Sequence, residues 1–366
     1  MKKRLAVIGA STGQLPLCQK AHEMGLETFC FAWPKGAICK DYVDHFIPVS
    51  IFEMDEIVRY CREYGIDGIV SNASETTALV VSYVAEKLGK VCTPYESFIK
   101  IQNKEFVRRT TNALPLLSKV DYNIGLLDDI VSSTQPPYVL KPIKGAAKKG
   151  VNFVNGSTAD LLISDDLKDA VFIAEKYITG KEYSVESMSY NNQHEVIQIT
   201  EKVGTGAPHF VELEHHQPAV LAIQVEDKIR KVIPLILSSI GFTNGASHTE
   251  IKVDEEDNIF LIEVNPRGGG DYISNNLIGL STDYDYLKQL ILVSLGMYEP
   301  VPAHNIAYSG IYFLSAYTEH LLPYFEEEMK EWMVIRERTG KGLTHSCSNY
   351  DRDGFILYCS NKKIIL

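Results

Sequence analysis

The stretch Ala246-Ser247-His248-Thr249-Glu250-Ile251-Lys252-Val253, then Asp254-Glu255-Glu256-Asp257, then Asn258-Ile259-Phe260-Leu261-Ile262-Glu263-Val264-Asn265-Pro266-Arg267-Gly268-Gly269-Gly270, decides how this chain is read. Its two outer segments alternate polar and apolar residues, as half-buried strands do. The acidic tetrapeptide reads as the turn between them. A four-residue turn pairs Val253 with Asn258, which sets Glu250 opposite Leu261 and His248 opposite Glu263. Side chains alternate faces along a strand. His248, Glu250 and Lys252 therefore share one face with Leu261, Glu263 and Asn265, while Ile251 and Val253 share the other with Phe260, Ile262 and Val264. Glu250 and Glu263 become diagonal neighbours, roughly 7–8 Å apart at the backbone. Like charges gathered on one face repel, and a bound cation turns that penalty into attraction. Carboxylate and amide oxygens are hard ligands, suited to magnesium shared with phosphates. A solvated hairpin with an acidic turn is the simpler alternative.

The rest of the composition narrows the class. A chain of 366 residues holds two or three domains. Hydrophobic residues make up 45% and charged residues 23%, ordinary for a soluble globular protein. A formal net charge of -11 with no basic tail argues against DNA or RNA as the main partner. No apolar run reaches membrane-spanning length. Residues 1–10 lack a cleavage-site pattern, so no signal peptide is expected. The seven cysteines are scattered, form no C-x-x-C pair and are odd in number, which fits reduced thiols in a cytoplasm.

Residues 4–8 read as a strand and Gly9 to Gly13 as a glycine-bearing turn. A helix follows to about Met24, then a strand over 26–31, a helix over 53–64, a strand over 66–70 and a helix over 74–88. This alternation predicts a doubly wound parallel sheet. The Gly9-Ala10-Ser11-Thr12-Gly13 turn fits the G-x-S-x-G pattern, but it follows the first strand, with no earlier strand to supply an oxyanion loop. It also lacks the full dinucleotide fingerprint, and no acid ends the second strand to hold a ribose. A helix is expected around 95–112. Pro115, Pro136 and Pro137 then mark a linker. Beyond it, strands over 138–143, 151–154, 171–178, 181–189 and 194–203, with a helix near 224–240, predict an antiparallel α+β domain.

Lys144 to Gly150 is a cationic hairpin tip whose amides and lysines suit phosphate oxygens. It is not a Walker A loop, because Val151 and Asn152 stand where Lys-Ser/Thr should follow. Lys141, inside a strand, needs an anionic partner: a nucleotide phosphate or a structural carboxylate. Glu175 is a candidate acceptor for an adenine amino group, the backbone at Lys176 and Ile178 for the ring edge, and Glu182 for ribose hydroxyls.

In order and spacing, Asn103-Lys104 with Arg108, Lys141-Pro142-x-x-Gly145 through Gly150-Val151, Glu175 to Glu182, and Glu250 with Glu263-x-Asn265-Pro266-Arg267 resemble the ATP-grasp superfamily, in its carboxylate–amine (amino-acid) ligase branch. The resemblance implies an α/β, doubly wound N-terminal domain (1–95), an α+β ATP-grasp domain (96–300) and a small C-terminal lid subdomain (301–366). It implies ATP with Mg2+ or Mn2+ as cofactors. Lys104, Lys141 and Lys148 would contact phosphates, Glu175, Lys176, Tyr177 and Ile178 the adenine, and Glu182 the ribose. Glu250, Glu263 and Asn265 would bind the metal. Arg267 and Lys141 would be the catalytic cations, with Arg267 on the acyl phosphate or the substrate carboxylate. Residues 209–219 resemble the branch's substrate-side loop, so His216 or His215, and His248, are candidates to face the acyl site. The chain departs from the family at Ala147 and Lys148, where a glycine and a serine are usual.

The expected function is an ATP-dependent ligase that joins a small carboxylic acid to an amine through an acyl phosphate, in the cytoplasm, with a homodimer also compatible with the resemblance. The alternatives are an ATP-dependent carboxylase or nucleotide-pathway ligase that activates bicarbonate or another acid, and a non-catalytic ATP-binding regulator.

Overall fold

The computed structural model describes residues 2–145, 149–156, 161–345 and 348–366. Three sheets organise them. The first is parallel, in the order β3-β2-β1-β4, with β1 Arg4–Ile8, β2 Glu27–Phe31, β3 His45–Ile47 and β4 Gly68–Val70. Leu5 and Val7 of β1 enter one core while Ala6 and Ile8 enter another. Both faces are therefore covered, as a doubly wound sheet requires. The helix Glu75–Lys87 follows β4, its first turn capped by the Ser74 hydroxyl on the Thr77 amide. The expected single helix over 95–112 is two, Tyr95–Ile101 and Lys104–Thr111. Asn103 separates them and caps the second through the Phe106 amide, at 3.0 Å.

The second sheet is small and antiparallel, in the order β5-β8-β6-β7: β5 Tyr122–Gly125, β6 Tyr138–Pro142, β7 Asn152–Val154, β8 Phe172–Lys176. Its core is Ile130, Tyr138, Leu140, Val154, Phe172 and Ala174.

The third sheet has eight antiparallel strands. They are β9 Lys181–Tyr190, β10 Gln193–Gly204, β11 Glu212–Gln217, β12 Gly245–Val253, β13 Ile259–Asn265, β14 Tyr308–Leu314, β15 Met333–Arg338 and β16 Gly354–Ser360, in the order β13-β12-β9-β10-β11-β14-β16-β15. Residues 209–219, expected as a loop, contain β11. Strand β14 pairs with both β11 and β16. The segment 301–366, expected as a lid, is thus hydrogen-bonded into the main sheet, because the outer edge of β11 needs a partner. On one face Tyr183, Val185, Ile199, Ile251, Val253, Ile259 and Leu261 pack on the helix Ile223–Ser239. The other face carries Glu182, Glu186, Lys202, His248 and Glu250. Farther along that face Met188 and Ala246 join the core of the first sheet. Among the described residues no helix is long and apolar enough to cross a membrane.

The β12–β13 register corrects the expected one. The turn has five residues, organised by the Asp254 carboxylate, which accepts from the Glu256 and Asn258 amides at 3.0 and 2.8 Å. Val253 therefore faces Ile259, Lys252 faces Phe260 and Ile251 faces Leu261. Leu261 lies on the core side, where Phe260 was expected. A bulge at Ile262 then shifts the ladder by one more residue and sets Glu250 directly opposite Glu263 and His248 opposite Asn265. The two register changes together restore the polar face and set the Glu250 and Glu263 backbones directly opposite rather than diagonal.

Candidate active site

A cleft of about 870 Å³ runs between the small sheet and the polar face of the large one, with one wall from the N-terminal domain. It is lined by Lys104, Lys141, Glu175, Lys176, Tyr177, Ile178, Glu182, His248, Glu250, Glu263, Asn265 and Arg267. Lys148 and Ala147 lie outside the described residues. His216 does not reach the cleft. It is buried on the opposite face, with Nδ1 2.9 Å from the Tyr358 hydroxyl and Nε2 2.8 Å from Glu214. Strand alternation turns its neighbour His215 into the cleft instead.

Glu250 and Glu263 sit at the bulge and are held from different sides. Lys202 Nζ lies 2.6 Å from Glu250 Oε1, 3.2 Å from Glu182 and 3.5 Å from Glu212. Burial opposes the charge on Lys202, yet three carboxylates keep its pKa well above the usual value. Burial would also raise the pKa of Glu250, but Lys202 and His248 outweigh it and hold the carboxylate well below its ordinary range. His248 bridges Glu186, 2.5 Å from Nδ1, and Glu250, 3.2 Å from Nε2. Burial disfavours its charged form, but Glu186 and Glu250 lift its pKa to about 8. The other oxygen of Glu186 accepts from the Gly269 amide at 3.1 Å, which ties the triple-glycine turn to the site. Lys104 Nζ donates to the Gly145 carbonyl at 2.9 Å and lies 3.6 Å from Glu263.

This donor set fits a divalent cation. Two carboxylates face each other across a strand pair, and the amide of the buried Asn265 lies one step along the same face. All are hard oxygen donors. Among the described residues no three His, Cys, Asp or Glu side chains form a closed metal cage. Magnesium is commonly held by one or two carboxylates plus substrate phosphates, which suits an open pair of this kind.

The nucleotide-side residues are arranged around a buried ion triad. Glu175 accepts from Arg108 Nε at 2.6 Å and from Lys141 Nζ at 2.8 Å. Burial alone would raise its pKa, but Arg108 and Lys141 bring it down to about 2. The carboxylate expected at adenine is therefore engaged by two cations, and Lys141 has found a carboxylate partner. Arg108 also donates to the Leu261 carbonyl at 2.7 Å, so it joins the small sheet to the bulge. Lys252 donates to the Ile178 carbonyl at 3.2 Å and lies over the Tyr177 ring at 5.1 Å. Burial lowers its pKa. Arg267 is half-buried at the end of β13, its Nη1 on the Gly268 carbonyl at 2.8 Å.

Sequence reasoning missed Lys202, Glu186 and Glu75. Glu75 begins the helix Glu75–Lys87 and faces the cleft from the N-terminal domain. Burial, then the nearby Glu263, raises its pKa. The Asn191-Asn192 turn was only a partial signal for Lys202, because a bulge between Val196 and Gln198 resets the register before Lys202 is reached. Both turn residues have positive φ, as a two-residue hairpin turn needs, and that turn fixes the start of the β9–β10 register.

Residues 134–276 match the model of the ATP-grasp domain. The alanine–anticapsin ligase of Bacillus subtilis (strain 168) is 25% identical over an alignment of 246 positions that covers 59% of this chain and 52% of that protein. The chain thus spans about half the length of this curated relative. The crystal structure of an L-amino acid ligase from Bacillus licheniformis superposes with a TM-score of 0.77 at 21% identity, covering 99% of this chain and 94% of that one. An N5-carboxyaminoimidazole synthetase from Staphylococcus aureus, complexed with ADP, gives 0.76 at 19% identity over 99% and 95%. The matched residues and the superposition agree: residues 134–276 form a segment that matches the ATP-grasp domain, and the chain has the fold of these solved structures.

Proposed function

We propose that this protein is an ATP-dependent carboxylate–amine ligase working through an acyl phosphate. The observation that carries the reading is the pairing of Glu250 with Glu263 across the bulge, beside Lys104 and close in sequence to Arg267, in a cleft of nucleotide size. The ligase names of the relatives support it. A carboxylate oxygen of the acid attacks the γ-phosphorus of ATP, forming a P–O bond as the bond to ADP breaks. The uncharged amine nitrogen then forms the C–N bond as inorganic phosphate leaves, carrying the proton that the nitrogen sheds.

Glu250, Glu263 and Asn265 would hold magnesium, which would supply charge neutralisation at the phosphates. Lys104, already bridging Gly145 and Glu263, is positioned to follow phosphate charge as it develops. Lys141 reaches a phosphate by sharing itself with Glu175. His248 and Lys202 hold Glu250 in its ionised form. Arg267 offers a planar guanidinium to the acyl phosphate.

The test is a phosphate-release screen over pairs of carboxylic acids and amines, with bicarbonate among the acids, in the presence of ATP and magnesium. At least one acid–amine pair should stimulate turnover, and Glu263→Gln should lower it at least a hundredfold. Turnover by no pair above the Glu263→Gln background rejects the reading. Stimulation by bicarbonate alone assigns the chain to the carboxylase class.

A further inference from the structure

Four residues beyond Arg267, past the triple glycine, Asp271 enters the cleft. Both Asp271 and Tyr272 adopt left-handed backbone conformations, with φ of 47° and 67°. Non-glycine residues, tyrosine above all, seldom adopt that region, and such outliers cluster at ligand sites. The Asp271 carboxylate is held unevenly. Arg352 Nη2 donates to Oδ1 at 2.8 Å, while among the described residues Oδ2 has only Asn349 Nδ2 at 3.5 Å and His215 Nε2 at 3.9 Å. Arg352 is itself fixed by the Asn349 carbonyl at 2.7 Å and lies 3.6 Å over the Phe313 ring. His215 is the cross-strand partner of Lys202, the lysine that holds Glu250, so this cluster adjoins the carboxylate pair. His215 Nδ1 is buried without a partner among the described residues. Burial, opposed by Asp271, lowers the pKa of His215 and favours the neutral ring.

A carboxylate with one pinned oxygen and one loosely held oxygen, lining the cleft and outside the expected metal set, is suited to a cationic N–H donor. We propose that Asp271 is the docking group for the ammonium of the amine substrate, with Arg352 and His215 as its positioning residues. The second substrate is then an amine that docks protonated, such as an amino acid; it releases one proton to water to free its lone pair before attack, and the leaving phosphate takes the second as the C–N bond forms. This deepens the ligase reading and rests on it.

The test supplies the standard L-amino acids as acids, with either L-amino acids or hydroxylamine as the nucleophile. Hydroxylamine is mostly uncharged near neutral pH and traps an acyl phosphate as hydroxamate without needing an ammonium subsite. Asp271→Asn should form hydroxamate within twofold of wild type, while its KM for the amino-acid amine rises at least tenfold. Asp271→Glu, which keeps the charge but moves it, should give an intermediate KM with hydroxamate formation unchanged. It carries the same test should the Asn variant not fold. An amine KM that stays put, or that changes only in step with hydroxamate formation, overturns the assignment. Wild-type protein that forms neither ADP nor hydroxamate with any acid overturns the ligase reading, and the subsite with it.

Discussion

Lys202 concentrates the electrostatics of the site in one side chain. Its side chain is 4% exposed and neutralises Glu182, Glu212 and Glu250 together. Removing one member of a buried charge cluster strands the others, typically at a cost of about 3–5 kcal/mol. Lys202→Met should lose stability of that order in urea unfolding, and magnesium should restore part of it, because a cation at Glu250 replaces the missing charge. A variant as stable as wild type contradicts this account. Glu175 makes the opposite case, a carboxylate stabilised by cations. Its folded pKa of about 2 lies below the ordinary value of 4.5. Its contribution is therefore fully present above about pH 4.5 and lost as the pH falls toward 2. The shift corresponds to about 3 kcal/mol. Glu175→Gln should be less stable than wild type at pH 7 by roughly that amount, with the gap closing as the pH is lowered from 4.5. Unfolding curves across that window, with a gap that does not narrow, would refute the assignment.

At the level of strands, the seam between β11, β14 and β16 places His215 and His216 on opposite faces. Gly310 in β14 lets the three strands approach. A methyl group there would meet Tyr358, with the His215 carbonyl at 2.6 Å and His216 Nδ1 at 2.8 Å. Overpacking a well-filled site costs about 1–3 kcal/mol. Gly310→Ala should be destabilised by that much, and an unshifted urea midpoint would show that the seam is looser than described. The same seam shows what the sequence could and could not say. The alternation of 246–253 and 258–265 is a local property, so the strands, their polar face and the candidate metal residues were legible. Registers are not local. Bulges at Ile262 and between Val196 and Gln198 each shift a ladder by one residue. Without the second, Lys202 would face Lys181; with it, Lys202 faces Glu182. The choice between His215 and His216 depends on a strand that arrives nearly a hundred residues later, and the environment of Asp271 depends on Arg352 from the end of the chain. Neither leaves a pattern within a short window.

Across the whole molecule, the cleft exists because the small sheet meets the rest at a few polar ties, while the first sheet and the large one share a continuous core. Arg108 links the small sheet, through Glu175, to the bulge carbonyls of β13. Lys104 links the Gly145 loop to Glu263, and Glu75 brings the N-terminal domain to the same wall. The small sheet has its own core, separate from the two that flank the large sheet. A ligand that touches both sheets therefore stabilises their association, and by mass action it stabilises the fold. At a hundredfold excess over its dissociation constant, nucleotide with magnesium should add about 2.7 kcal/mol. The metal's share of that stabilisation acts through Glu250 and Glu263. Omitting magnesium at the same nucleotide concentration should leave a smaller thermal shift, and Glu263→Gln should reproduce that smaller shift whether or not magnesium is present. Thermal unfolding of wild type and variant, each with nucleotide alone and with nucleotide plus magnesium, gives four midpoints. Three should coincide once each protein's own ligand-free midpoint is subtracted, and only wild type with both should stand above them. Four equal shifts would mean that nucleotide binds without a cation between the paired carboxylates.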